Sequence, residues 1–420
     1  MKRSYSTALP VRRSRHNILM IVQNLPVPFD RRVWQEATTL TRAGFDVTVI
    51  CPTSEMYPNR HDTILGIDIF RYPLLVEADT SRWGYLFEFV YCWFATLWYA
   101  LRVYINRPFD VIHACNPPDT YFVLALLFRP FGVKFVFDHH DLCPELYLAK
   151  GYTKDTVVYR LLVLLERLTL RTADMVISAN ESYSEIAQRR AGIAGRTVVV
   201  VRSAPSRAWA QYCIPSVHLK QGYKYLAAYI GQIGTQDGID YLLRAIRVYG
   251  DLYGHDTFFV IIGGGPNEGR MRRLSKELDI AECVRFTGRI CDEHLLAYVA
   301  TADLCLEPAP LNEFNNISTM NKIVEYMSAG KPIVAFDLLE HRRTALDAVY
   351  YVEPNMVGKF AAAVRELLQD TRRREQMSEF AKAHFHDVLA WEISESKLVR
   401  AYAELLQTEV SALSAVHCVH

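Results

Sequence analysis

Residues 18–50 read ILMIVQNLPVPFDRRVWQEATTLTRAGFDVTVI, and this stretch decides the fold class. An apolar run of strand length (18–22) precedes a helical pattern that starts after Asp30 and stops at Gly44; a second strand-like run (46–50) follows. Strands that are apolar throughout and separated by helices are typical of a parallel sheet covered on both faces. The stretch therefore predicts an α/β fold.

The same alternation runs through most of the 420 residues. It is interrupted once, at 204–222, where two prolines occur without hydrophobic periodicity, and it restarts at residue 223. We therefore predict two doubly wound parallel-sheet (Rossmann-like) domains that face each other across a cleft. The predicted boundaries are a disordered basic tail (1–16), an N-terminal domain (17–203), a linker (204–222), a C-terminal domain (223–388), a last helix that crosses back to the N-terminal domain (389–408) and a tail (409–420).

Composition excludes several classes of protein. Half of the residues are apolar and the net charge is +1, from 47 Lys and Arg against 46 Asp and Glu, which argues against intrinsic disorder and against a nucleic-acid partner. The nine cysteines form no C-x-x-C pair, so a disulfide framework or a zinc site is not expected. We predict a reducing, cytoplasmic location.

Polar residues follow the first strand in the segment NLPVPFDRRVWQEA (24–37). Asp30 stands where a helix N-cap belongs, and Arg31 and Arg32 fall in the first helical turn. Two cations there oppose the helix dipole, so a nearby anion would stabilise them. The alternative, which the sequence leaves open, is a capped helix with solvated arginines.

A second polar segment, FDHHDLCPELY (137–147), follows the strand pattern KFVFD. A histidine flanked by carboxylates, such as His140 beside Asp141, can be held in one tautomer and tuned near neutral pH. Successive side chains on a strand point to opposite faces, so His139 and His140 cannot serve one metal together. A role in lining the cleft is favoured over a metal site and over a satisfied core network.

Two segments of the second half suit an anionic ligand. GGGP (263–266) lets the backbone approach a ligand closely at Gly264 and Gly265, although a plain tight turn is the alternative. In STMNKIVEYMSAGKP (318–332), Ser318 is a potential N-cap and Lys322 adds a mobile cation near the helix start. Glu325 lies one turn later and could accept from a ribose, unless it simply pairs with Lys322.

Five motifs in order give a resemblance to a known family. They are YIGQIGTQDGIDYLLRA (229–245), FVIIGGGP (259–266), VRFTGRI (284–290), LLAYVATADLCLEP (295–308) and EYMSAGKPIVAF (325–336). Together with the two N-terminal segments they resemble the family-4 retaining glycosyltransferases (glycosyl transferases group 1), which have the GT-B fold.

The resemblance implies a nucleoside diphosphate sugar donor, expected to be a UDP-sugar, no essential metal, and a lipid-linked or saccharide acceptor on the N-terminal side. His140 with Asp141 would lie beside the transferred sugar, and Asp30, Arg31 and Arg32 would line the acceptor side. Lys322 would neutralise the diphosphate and Glu325 would bind the ribose. The implied donor-binding residues are Gly231, Gln232, Gly264, Gly265, Arg289, Ile290, Ser318, Thr319, Met320, Asn321 and Glu325.

Three positions depart from the family's pattern. Gln232 and Asp237 stand where the family usually has Arg and Lys, and Ile317 stands where the first Glu of its E-x7-E motif belongs. We expect Lys322, with Arg289 or Arg31, to supply the missing charge. The departures keep a non-catalytic sugar-nucleotide-binding protein open, and an epimerase or phosphorylase of the same architecture is a further alternative.

The most apolar segment, WGYLFEFVYCWFATLWYALRVYIN (83–106), approaches the length of a membrane span. Glu88 and Arg102 interrupt it, and its Tyr and Trp residues are spread along it rather than placed at the ends. It predicts a long helix, partly core and partly in contact with an anionic membrane surface, with pure core as the alternative. With the basic tail and a balance of +5 over residues 1–202, it favours a peripheral enzyme at the inner face of the membrane.

Overall fold

The protein is described here by a computed structural model, which covers residues 16–74, 82–192, 197–209 and 214–408. Nearly all of the predicted N-terminal tail, all of the C-terminal tail, and residues 210–213 of the predicted linker lie outside these described residues.

The first sheet has eight strands in the spatial order β3–β4–β2–β1–β5–β6–β7–β8. Its strands are β1 (Asn17–Ile21), β2 (Asp46–Pro52), β3 (His61–Ile64), β4 (Ile67–Tyr72), β5 (Val111–Cys115), β6 (Lys134–His139), β7 (Met175–Ser178) and β8 (Thr197–Val200). The helices between them are α1 (Arg31–Arg42), α2 (Arg82–Asn106), α3 (Phe122–Phe128), α4 (Cys143–Ala149), α5 (Val157–Thr172) and α6 (Glu181–Ala191).

The opening stretch folds as its pattern predicts. β1 pairs in parallel with β2 and β5, and the side chain of Asp30 accepts a hydrogen bond from the backbone N–H of Val33, which confirms the N-cap of α1. Val33, Ala37 and Leu40 are buried along one face of this helix. β1, α1 and β2 therefore form a strand–helix–strand unit, and the N-cap residue Asp30 marks the start of its helix.

One strand departs from the all-parallel prediction. β3 is antiparallel to β4, and the two are joined by Leu65 and Gly66, with φ angles of 52° and 81°. Two successive residues with positive φ match the right-handed twist of a two-residue hairpin. The prediction missed β3 because the segment HDTI is too short and too polar to show the pattern of a buried strand.

The second sheet has six strands in the order β11–β10–β9–β12–β13–β14, and every neighbouring pair is parallel. Its strands are β9 (Tyr225–Ile230), β10 (Thr257–Ile262), β11 (Val284–Gly288), β12 (Leu304–Glu307), β13 (Ile333–Phe336) and β14 (Val349–Val352). The helices are α7 (Ile239–Tyr253), α8 (Glu268–Glu277), α9 (Asp292–Thr301), α10 (Asn321–Ser328), α11 (Leu339–Ala345), α12 (Val357–Gln369), α13 (Thr371–His384) and α14 (Trp391–Leu406).

Two apolar clusters cover the two faces of this second sheet. One packs α7 and α12 on the face that carries Tyr229 and Phe259, and the other packs α10 and α13 on the face that carries Ile230 and Val260. The chain order of the strands reverses between β9 and β12. In doubly wound sheets, ligands bind beyond the carboxyl ends of the strands at this switch point.

The chain divides into two compact units by the packing of its backbone. Of the described residues, those up to Asp138, 172–175 and those from Ala403 onward belong to one unit. The described residues of His139–Arg171 and Val176–Tyr402 belong to the other. The boundaries predicted from the sequence remain predictions.

The aromatic segment forms α2, as predicted. Among the described residues, no helix is both long and apolar enough to cross a membrane.

Candidate functional site

Glycines end three neighbouring strands of the second sheet, β9, β10 and β11. Gly231, Gly263 and Gly288 have φ angles of 142°, 130° and 68°, which side chains rarely tolerate. A Cβ built on Gly263 would lie 1.9 Å from the carbonyl oxygen of Gly231. The ends of β9 and β10 therefore pack backbone against backbone, which requires glycine at position 263.

The predicted glycine turn lies at the same edge. A Cβ on Gly264 would come within 3.8 Å of Cγ of Arg289, and one on Gly265 would lie 2.8 Å from the backbone N of Ile233. Arg289 and Gln232 are exposed, and Ile290 is half-buried. The structure therefore brings the predicted residues 231–232, 264–265 and 289–290 to one edge of the sheet.

Lys322 lies in the middle of a buried charged cluster at the switch point. Its Nζ is 3.1 Å from Oε2 of Glu307, 3.6 Å from Oδ1 of Asp237, and donates to the Tyr229 hydroxyl at 3.1 Å. Burial alone would lower the pKa of Lys322, but the carboxylates raise it far above its usual range. The ammonium therefore stays charged. The sequence predicted a mobile cation here, whereas the structure holds the lysine in place.

The carboxylate of Asp237 links this cluster to the loop after β9. Its Oδ2 accepts a hydrogen bond of 2.9 Å from the backbone N–H of Gly234, and burial raises its pKa against the opposing effect of Lys322. A Cβ on Gly231 would lie 2.8 Å from Cε of Lys322, so the lysine side chain passes directly against this glycine. The resemblance implies cations in the loop after β9, at positions 232 and 237. Here the cation beside this loop comes from α10 instead.

The turn before α10 differs from its prediction. The helix begins at Asn321 with Met320 at the N-cap position, so the assignment of Ser318 as N-cap was wrong. The Ser318 hydroxyl instead donates to the carbonyl of Phe314 at 2.8 Å and accepts from the hydroxyl of Tyr183, also at 2.8 Å. Because the Ser318 hydroxyl already donates one hydrogen bond and accepts another, it does not cap the helix.

Two other elements brace the same turn. Asn180, the N-cap of α6, donates through Nδ2 to the carbonyl of Ile317 and to Oγ1 of Thr319, each at 3.1 Å. Thr319 in turn donates to the buried carboxylate of Glu340 at 3.3 Å. The turn is therefore held in one conformation, with Asn321 exposed and Glu325 half-buried on the helix that follows.

The two histidines after β6 have separate environments. His139 is fully buried, with Nε2 3.1 Å from Oε1 of Glu166. His140 and Asp141 are half-buried, and burial together with the charge of Asp141 raises the pKa of Tyr183 well above its usual value. The core-network alternative thus applies to His139, while the cleft-lining role of His140 remains a prediction.

Arg32 is buried with two carboxylates. Its Nη2 donates to Oδ1 of Asp138 at 2.7 Å and lies 3.2 Å from Oε1 of Glu36, whereas Arg31 is exposed. The negative charge that stabilises Arg32 in the first turn of α1 is therefore supplied by the protein itself. His113, 3.4 Å from Glu36 and from Asp138, completes this cluster.

Potential metal ligands also meet in that cluster. Ligand atoms of His113, Cys115 and Asp138 lie within 4.8 Å of one another. The guanidinium of Arg32 already binds Asp138, and burial raises the pKa of the Cys115 thiol and so disfavours the thiolate that a metal needs. These donors do not fit a metal ion well.

Comparison with known proteins gives the family. The family described as Glycosyl transferases group 1 matches residues 224–370, and the one described as Glycosyl transferase 4-like domain matches residues 30–203. The chain belongs to the group 1 glycosyltransferases. The two matches lie on the two sheets in the order that the motifs predicted.

Curated relatives match part of this chain. It is 25% identical over 231 residues to the 2-deoxystreptamine glucosyltransferase of Streptomyces kanamyceticus, covering 52% of this chain and 57% of that protein. It is 28% identical over 158 residues to the GDP-mannose-dependent monoacylated alpha-(1-6)-phosphatidylinositol monomannoside mannosyltransferase of Corynebacterium glutamicum, covering 37% of this chain and 40% of that protein. The chain spans about half the length of the curated relatives it matches.

Solved structures confirm the GT-B fold. Sucrose-phosphate synthase from Thermosynechococcus elongatus superimposes with a TM-score of 0.73 at 17% identity, covering 94% of this chain and 100% of that one. Anabaena Alr3699/HepE in complex with UDP superimposes with a TM-score of 0.66 at 16% identity, covering 93% and 99%. At such low identity the likeness concerns the fold alone.

Several residues of the candidate site were missed by sequence reasoning. Glu307 carried a usable signal, because an acidic residue at the end of the apolar strand LCLE is unusual. Tyr229, Asn180 and Glu340 carried none, since each reaches the site through contacts with residues more than 20 positions away in the chain.

Proposed function

We propose that this chain transfers a sugar, with retention of configuration, from a UDP-sugar to a lipid-linked or saccharide acceptor in polysaccharide or glycolipid assembly. The observation that carries the proposal is the buried cation of Lys322 against Gly231, at the switch point between β9 and β12. A charged lysine beside close-approaching backbone suits the diphosphate of a nucleotide sugar. HepE, which has the same fold, is solved in complex with UDP and with UDP-glucose, and we propose a uridine nucleotide for this chain by analogy.

In this proposal the donor lies along the carboxyl edge of the second sheet. The diphosphate lies at the start of α10, near the backbone of Thr319, Met320 and Asn321, where the helix dipole and Lys322 both favour negative charge. Glu325, one turn further along α10, accepts from the ribose hydroxyls. Gly264, Gly265, Gln232, Arg289 and Ile290 line the nucleotide.

Transfer requires stabilisation of the diphosphate as it leaves. Lys322 supplies this charge without a metal, because its cation is already desolvated and fixed by Glu307 and Asp237. His140, oriented by Asp141, positions the sugar on its other side, and Asp30 with Arg31 and Arg32 belongs to the acceptor side.

A non-catalytic sugar-nucleotide-binding protein is the second candidate. It is favoured by one observation: Lys322 faces two carboxylates, so the cluster of Lys322, Glu307 and Asp237 carries a net charge of about −1 when all three are ionised. Such a protein would bind the nucleotide sugar but would neither transfer nor hydrolyse the sugar.

A thermal-shift screen across UDP-, GDP-, ADP- and dTDP-sugars tests the donor. A ligand at 100 times its Kd stabilises the folded protein by about 2.7 kcal/mol, so the true donor raises Tm by several degrees. Release of UDP from the stabilising sugar then separates an enzyme from a binding protein. A uniform absence of shifts contradicts the donor site itself.

A membrane-bound acceptor is supported by α2. Phe87, Phe94 and Trp98 are 61%, 61% and 54% exposed, and Val90, Leu101 and Ile105 continue the same helical face. Arg102 lies against the ring of Trp98, at 5.5 Å from its centroid. An apolar face with a flanking cation suits the interface of an anionic bilayer and supports the proposal of a peripheral enzyme at the cytoplasmic face of the membrane.

A further inference from the structure

A second amphipathic helix, α5, has a different environment on each side. On its inner side the buried carboxylate of Glu166 binds His139 and Arg190, and Arg171 donates through Nε to the carbonyl of Ala191 at 3.0 Å. These contacts fix the rotation of α5 about its axis against α6 and β6. The side chains on its other face therefore have a defined direction.

That other face is apolar. Val157 is 80% exposed, Leu161 50% and Leu164 49%, and Val158 and Leu168 are exposed beside them. Positions 157, 161, 164 and 168 are spaced by four, three and four residues, which places them on one stripe of the helix. Side chains of this kind seldom form a continuous exposed stripe unless another surface covers it.

The charges on α5 favour one kind of covering surface. Arg160 and Arg167 are exposed and follow one edge of the stripe, seven residues apart. Glu166 is the sole acidic residue in the helix sequence, and it points inward. The outer side of α5 thus combines an apolar stripe with an arginine edge, which is the pattern of a helix that lies in the headgroup region of an anionic bilayer.

We infer that α5 is a second membrane-contacting helix, with its leucine stripe at the acyl boundary and its arginines on anionic headgroups. The inference rests on the membrane side of the proposed function and adds a contact independent of α2. Its consequence is that the segment leading from His140 into α5 would be held close to the bilayer, where a lipid-linked acceptor would be presented.

Sedimentation of the full chain with phosphatidylglycerol–phosphatidylcholine vesicles tests this. We expect Leu161→Glu and Leu164→Glu, made singly, to lower the vesicle partition coefficient roughly tenfold or more. Each change puts a charge in place of apolar area that the bilayer would bury. Arg167→Ala should lower it roughly fivefold at low salt and less at high salt. The matched controls are Leu252→Glu on the exposed side of α7 and Arg372→Ala on α13, which should bind like the wild type.

The outcomes separate this inference from the proposed function. If Phe94→Glu in α2 abolishes binding while the α5 variants bind normally, the membrane proposal stands and the inference fails. If no protein sediments with anionic vesicles, both fail. If the α5 variants instead break a dimer of the wild-type chain and leave vesicle binding unchanged, the stripe contacts a second copy and the inference is overturned. Unchanged Tm values exclude unfolding as the cause of any loss.

Discussion

At the residue scale, Lys322 decides how the diphosphate would be neutralised. Its ammonium is enclosed by Glu307, Asp237 and Tyr229 rather than exposed to solvent. An enclosed cation needs little reorganisation when charge develops on a leaving group, which is the condition for electrostatic catalysis.

Replacement of this lysine should affect turnover more than binding. We expect Lys322→Ala to reduce kcat by about 10²-fold or more, because leaving-group charge grows in the transition state. The same change leaves two buried carboxylates without their cation, so Tm should fall as well. Lys322→Arg, which keeps the charge, should restore part of both. Near-normal kcat in Lys322→Ala would move the role to Arg289 or Arg31.

We expect Asp237 to make donor binding sensitive to pH. Burial already raises its pKa, and an arriving diphosphate would raise it further, so the complex would hold more protons than the free protein. Proton uptake on binding means that UDP affinity rises as pH falls and declines as pH rises through the raised pKa.

Calorimetry of UDP binding in buffers of different ionisation enthalpy measures this uptake directly. Asp237→Asn keeps the shape of the side chain but cannot titrate, so we expect it to bind UDP with less proton uptake than the wild type. Protonation of UDP itself is common to both proteins and cancels in the comparison. Equal uptake by both proteins would exclude Asp237 as the group that titrates.

Glu325 is expected to hold the ribose. Removal of a charged hydrogen-bond partner typically costs about 1.5–3 kcal/mol, so Glu325→Ala should weaken donor binding roughly 10-fold or more. Glu375→Ala, on the exposed side of α13, is the matched control and should bind normally. Calorimetric Kd values for UDP decide the matter, and unchanged affinity contradicts the assignment.

At the element scale, α2 combines a buried and an exposed side. Cys92, Thr96 and Tyr99 face the core, whereas Phe94 and Trp98 face outward. The aromatic residues that looked uniformly spread in the sequence are therefore divided between two environments by the helical period.

This division gives a comparison within one helix. We expect Trp98→Glu to keep the wild-type Tm and lose binding to anionic vesicles, since its side chain is 54% exposed. Trp93 is half-buried, so Trp93→Glu should lower Tm as well. High salt or carbonate should release the wild type, as screening weakens the attraction of basic residues to lipid. A Trp98→Glu variant that simply unfolds would assign this face to the core.

At the scale of the whole molecule, the proposal divides the work between the two matched family regions. The nucleotide belongs to the second sheet, and the sugar faces His140, which follows β6 of the first. We expect His140→Ala to lose transfer activity while its Kd for UDP stays within about twofold. His218→Ala, in an exposed short helix before β9, is the control. A parallel loss of transfer and of UDP binding would falsify this division of labour.

The sequence by itself determined the fold class, the order of most elements and the family. α1, α2 and the strand–helix alternation follow from local periodicity, and the N-cap at Asp30 follows from one residue type at one position. Five motifs in order were enough to place the chain among group 1 glycosyltransferases, which the family matches bear out. These features depend on neighbours in the chain, and a sequence displays such neighbours directly.

Only the tertiary structure decided how the candidate site is held together. The enclosure of Lys322 by Glu307 and Asp237 joins three elements, and the turn at Ser318 is fixed by Tyr183, 135 positions away in the chain. The polar groups of Ser318 take these partners instead of capping α10, and Arg32 takes Asp138 instead of solvent. A buried polar group binds whichever partner the fold brings within hydrogen-bond distance, and local sequence does not specify that partner.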